Sequence, residues 1–139
     1  MQLLFGDRIA GNINLAAQIL IIIGLWTGFY FARKKQFTRH GAIQTSIVLA
    51  NMFFILTIMV TSFYSYVIRG GTTSGTLAYA MIFHGILGTL AELTGLYLIL
   101  RMNTSVIPPS LRVKNYKLVM RCLLGLWTLL VLGGFSIYY

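Results

Sequence analysis

Long apolar runs separated by short polar breaks dominate the chain, and four of them stand out, at about 13–31, 43–67, 77–100 and 118–138. Each is long enough to cross a hydrocarbon core of about 30 Å as a helix that rises about 1.5 Å per residue. The breaks are the basic run Arg33-Lys34-Lys35, the glycine-rich stretch 69–75, and the segment 103–114 with its Pro108-Pro109 pair. Connections this short make consecutive helices antiparallel neighbours. The expected architecture is therefore an all-α integral membrane protein, an antiparallel bundle of four transmembrane helices forming a single domain over 1–139.

Composition narrows the function. Of 139 residues, 58% are hydrophobic and 9% charged, against about a quarter charged in a soluble domain. That excludes a water-soluble globular enzyme, and the length leaves no room for a second domain. The single cysteine, Cys122, permits no intrachain disulfide, and no Cys/His cluster is present to hold zinc or an iron–sulfur centre. The first eleven residues lack a basic n-region followed by an apolar core and a small-residue cleavage site, so the first run is expected to remain in the mature protein.

Charge placement sets the orientation. Arg33, Lys34, Lys35 and Arg39 flank the first break and Arg101, Arg112, Lys114, Lys117 and Arg121 the third, while Arg8 and Arg69 stand on the other side. A bias of nine to two puts loops one and three in the cytoplasm and both termini outside. The basic balance is thus read as topology and contact with anionic lipid, and nucleic acid is not an expected partner. Trp26, Phe29, Tyr30 and Phe31 near the inner boundary, and Tyr64, Tyr66, Tyr138 and Tyr139 near the outer one, fit interfacial anchors. His40-Gly41 and His84-Gly85 are too short a similarity to make an internal repeat.

Polar side chains inside hydrocarbon need a partner, so they carry the functional signal. On the second span His40, Gln44, Asn51, Ile55 and Ser62 follow spacings of 4, 7, 4 and 7, one helical stripe expected to face inward. Gln44 and Asn51 suit interhelical hydrogen bonding. On the third span Gly85, Gly88, Glu92 and Gly95 fall at spacings of 3, 4 and 3, a small-residue face for a packed helix or a flat cofactor. Glu92 is the sole acid of the apolar interior. It is expected either to make a structural hydrogen bond, to pair with Arg39, Arg101 or Arg121, or to couple to proton transfer. One carboxyl makes no relay, which disfavours a transporter.

Two histidines with little other polar equipment suit haem, whose iron accepts one or two neutral imidazoles, or His plus Met, between facing helices. His84 lies about 10 Å inside the outer end of its span, and His40 near the inner face, an axial separation of about 15 Å or more. One iron bridged by both is not expected. Met120 stands near the depth of His40, and Met59 is the candidate opposite His84. Either methionine also serves as packing.

The first two spans with Phe31-Ala32-Arg33-Lys34-Lys35 leading to Arg39-His40, the His84-Gly85 span, and Tyr116-Lys117-Leu118-Val119-Met120-Arg121 leading to Leu126-Trp127 and Tyr138-Tyr139 resemble the CtaM/YozB-like family of small membrane proteins. The resemblance covers most of the chain. It implies a compact four-helix membrane protein with histidines near helix ends, associated in some members with haem–copper oxidase maturation, and it carries over to His40 and His84 alone.

The expectation is a haem-binding, cytochrome-b-like membrane protein of respiratory electron transfer or oxidase maturation, with haem b held by His84 or His40. Such a protein is an electron carrier or accessory subunit rather than a self-contained enzyme. Its expected partners are the lipid of a prokaryotic plasma membrane and either respiratory-complex subunits or further copies of itself. The alternative is a cofactor-free accessory or assembly subunit packed against a larger membrane complex.

Overall fold

The computed structural model describes residues 2–69 and 75–138. Four helices are long and apolar enough to cross a membrane. Helix α1 spans Gln2–Arg33, α2 is continuous over Phe37–Arg69, α3 spans Thr76–Asn103 and α4 Tyr116–Tyr138. No strand occurs among the described residues. The four apolar runs each fall within one helix. The second break, 69–75, lies mostly outside the described residues, as do the side chains of Tyr66, Tyr138 and Tyr139.

α1 begins well before the apolar run proposed for it, because the segment ahead of Ile13 contains no proline and keeps the backbone ladder intact. It ends where the basic run forces a turn. Lys35 adopts a left-handed φ of 60°, and Gln36 N–H donates to Phe31 O at 3.0 Å, the closure that satisfies the last carbonyls of a helix. Lys34 lies over the Tyr30 ring at 4.9 Å and Arg39 over Phe31 at 5.7 Å, so the aromatics of this boundary also hold its cations.

α2 changes winding along its length. It is α-helical over Phe37–Phe54, widens to π turns over Ile55–Met59, returns to α over Val60–Phe63 and widens again over Tyr64–Arg69. The junction residues stay in the right-handed helical region, so the axis continues. Thr57 and Thr61 donate their hydroxyls to carbonyls one turn back, at 2.7 Å each, which satisfies them inside the helix.

Contacts run in opposite order along α1 and α2. Gln18, Leu25 and Gly28 of α1 meet Asn51, Gln44 and His40 of α2. Val48 of α2 and Trp127 of α4 close on Gly95 of α3, where an added Cβ would stand 3.3–3.4 Å from both. Ile21, Leu25, Val48 and Trp127 form the buried core of this layer. Gly24 and Gly28 let α2 approach α1, since a Cβ there would run into Ile47 and Gln44. Outside, Leu20, Phe53, Phe83 and Leu129 are each more than 60% exposed, a surface suited to lipid rather than water.

The third connection is pinned to the bundle. Tyr97 donates its hydroxyl to Leu111 O at 2.7 Å and accepts from Val113 N at 3.0 Å, across a short 3-10 turn at Pro109–Leu111. Arg101 stacks over Tyr116 at 4.4 Å.

Candidate functional site

Among the described residues four polar side chains are buried in the interior: Asn14 and Gln18 on α1, Asn51 on α2 and Glu92 on α3, exposed by 7%, 6%, 4% and 6%. Three of them form a directed chain. Gln18 Nε2 donates to Asn51 Oδ1 at 2.8 Å, and Asn51 Nδ2 donates to Glu92 Oε2 at 2.8 Å. Both amides therefore point their hydrogens toward the carboxyl group. The stripe on the second span does face inward at Asn51, and Glu92 takes the structural hydrogen bond. The arginines considered for it are engaged elsewhere or exposed: Arg39 donates to Gln36, Arg101 lies over Tyr116 and Arg121 is exposed.

Two oxygens of this group have no partner among the described residues, Asn14 Oδ1 and Glu92 Oε1. A buried acceptor left unpaired costs about 1–3 kcal/mol in water-referenced measurements. Such atoms therefore call for an occupant.

Asn14 borders a cleft of about 570 Å³ bounded by all four helices. α1 contributes Asn14 and Gln18, α2 Met59, α3 His84 and Gly88, and α4 Gly134. Most of the remaining wall is apolar, and no Lys or Arg is part of the lining. The π turn over Ile55–Met59 presents Ile55 and Met59 to the cleft, the kind of local unwinding often found at functional sites, and Ser62 follows from the α-helical stretch after it.

His84 is half-buried, and its ring lies against the Gly133-Gly134 pair. A Cβ on Gly134 would stand 3.3 Å from Cε1 and 3.5 Å from Nε2. The two glycines thus leave a flat seat for the imidazole. The ring makes no hydrogen bond among the described residues, so none of these claims its nitrogens.

His40 is placed differently. It donates Nδ1–H to Gly28 O at 2.8 Å, and Gln44 donates to Leu25 O at 3.2 Å one turn further on, so both tie the start of α2 to α1. Neither His40 nor Met120, which is half-buried near the start of α4, lines the cleft. The structure therefore brings His84 and Met59 to one cavity and leaves His40 and Met120 outside it.

The glycine face of α3 divides by function. Gly95 packs against α2 and α4, whereas a Cβ on Gly85 or Gly88 would meet nothing within 4 Å. Both of the latter line the cleft.

Asn14, Gln18 and the Gly133-Gly134 pair are absent from the residues singled out by sequence. The signal for the first two is their spacing of four within an apolar run, the same rule that selects the stripe on α2.

No protein-family model matches the chain, no curated protein matches its sequence, and no solved structure matches its fold.

Proposed function

We propose that the protein is an intramembrane haem-binding protein with His84 as its axial ligand. The observation that carries this reading is the unclaimed imidazole of His84 in an apolar cleft of about 570 Å³ that Met59 also lines. Clefts of about 300–1,000 Å³ receive ligands of cofactor size, and a neutral imidazole is the common protein ligand of haem iron. The residues fit the group: the glycines at 85, 88 and 134 flatten the wall for a planar ring. When bound, haem supplies one-electron chemistry. His84 fixes its position, Met59 offers a thioether, and the apolar wall keeps water from the ring. The inner pair His40 and Met120 does not share this cleft, and the proposal rests on His84.

The helices form an antiparallel membrane bundle with both termini outside and the basic loops in the cytoplasm, which the opposite-running contacts and the nine-to-two charge bias favour. The setting is a prokaryotic plasma membrane. There the protein acts as an electron carrier or in oxidase maturation, beside respiratory subunits or copies of itself, as the resemblance to the CtaM/YozB-like family implies.

Absorption spectra of the detergent-purified protein, oxidised and dithionite-reduced, test the reading. Expression with ample haem is expected to give a Soret band and sharp reduced bands that vanish in His84→Ala and persist in His40→Ala. A colourless wild-type protein overturns it. A cofactor-free accessory subunit is then the second reading, favoured by Gly85 and Gly88, an open wall that a partner helix meets without a Cβ in its way.

A further inference from the structure

We infer that Asn14, on the wall of the cleft, is a subsite for a hydroxyl group on the cofactor, which donates to Asn14 Oδ1; the inference rests on the haem reading above. That oxygen is unpartnered among the described residues, and the side chain is more than nine-tenths buried, with 7% exposed. Asn14 lines the cleft, with Gln18 and Asn51 beside it. Those two amides direct hydrogens along the chain to Glu92 Oε2, so of the lining side chains Asn14 is the one with an oxygen left to receive a donor from the occupant.

The carboxylates of a haem do not suit this wall. No Lys or Arg lines the cleft, and an ionised carboxylate brought there would meet further oxygen acceptors without a cation. The anionic edge would therefore lie away from Asn14, leaving the opposite edge of the ring toward it. Haem b carries only hydrocarbon substituents on that edge and would leave the acceptor bare. A hydroxyalkyl substituent there would donate to Asn14 Oδ1 and remove the penalty of an unmet buried acceptor. The chemical class is an iron porphyrin bearing a hydroxyl on the edge opposite its carboxylates, and Asn14 is the residue that selects it.

Two iron porphyrins with identical carboxylates isolate the hydroxyl: mesohaem, with ethyl groups opposite the carboxylates, and haematohaem, with hydroxyethyl groups there. The haem-free, detergent-purified full chain is titrated with each while the Soret band is followed, in wild type, Asn14→Leu and His84→Ala. Haematohaem is expected to bind wild type about tenfold more tightly than mesohaem, and the advantage is expected to fall to about twofold or less in Asn14→Leu. The melting temperature of the empty Asn14→Leu protein checks that its fold is retained. Equal affinities with a His84-dependent Soret shift overturn this inference alone, water then serving the Asn14 oxygen. An advantage for haematohaem undiminished in Asn14→Leu also overturns it. No His84-dependent shift with either porphyrin removes the haem reading and the inference together.

Discussion

Replacing Asn14 by leucine is expected to stabilise the empty protein, although it removes a polar side chain from the group that contains a hydrogen-bonded chain. Asn14 is 7% exposed, its Oδ1 has no partner, and its side chain makes no hydrogen bond among the described residues. The native residue therefore carries a desolvation cost without a bond to offset it, about 1–3 kcal/mol on a water-referenced scale. Within a bilayer the figure is smaller, because an unfolded helix also finds partners; about 0.6 kcal/mol is the average for interhelical hydrogen bonds. Leucine has nearly the same volume and adds favourable contact with the apolar wall. A gain of about 1 kcal/mol follows, roughly 3 °C in melting temperature for a chain of 139 residues. The companion variant is Asn51→Leu. It breaks two bonds of 2.8 Å and strands a donor on Gln18 and an oxygen on Glu92. Its expected cost is about 2 kcal/mol. The assay is thermal unfolding of haem-free protein in one detergent, followed by helical circular dichroism. If Asn14→Leu melts as far below wild type as Asn51→Leu does, Asn14 is satisfied in the membrane protein and the reasoning about the cleft wall fails.

Gly134→Ala brings a Cβ to 3.3 Å from His84 Cε1 and is expected to lower cofactor affinity about tenfold by displacing the ring, with the melting temperature of the empty protein unchanged or slightly raised; Soret titration and circular dichroism separate the two. Lys35→Gly relieves a left-handed φ of 60° and is expected to stabilise by about 0.5–1 kcal/mol, read from the same melting curves. His40→Ala deletes the bond to Gly28 O and is expected to cost about 1 kcal/mol while leaving the absorption spectrum intact, which distinguishes a structural histidine from a ligand.

The four apolar runs are legible because length and continuity alone decide whether a segment can span hydrocarbon. Periodicity goes one step further and assigns faces, as for Asn51 and Glu92. It does not say which neighbour a face meets. The spacing of Gly85, Gly88, Glu92 and Gly95 is uniform, yet Gly95 seats Trp127 and Val48 while Gly85 and Gly88 border open space. The difference comes from where α4 crosses α3, which no local pattern encodes. His40 illustrates a second limit. Its partner is the carbonyl of Gly28, a backbone atom exposed to α2 because residue 28 has no side chain, and nothing in the sequence around His40 points to it. The spacing of four between Asn14 and Gln18 is present in the sequence, but spacing does not tell that Gln18 finds a partner on α2 while the Asn14 oxygen finds none among the described residues.

The chain from Gln18 through Asn51 to Glu92 takes one residue from each of three successive helices, and this bears on how the protein is made. A nascent α1 enters the bilayer with the Gln18 amide unmet. Arrival of α2 supplies Asn51 as its acceptor but leaves the Asn51 amide hydrogens bare, and only α3 completes the set with Glu92. Every partial product short of α3 thus lacks at least one of these two hydrogen bonds, and the third helix is the one that completes the chain.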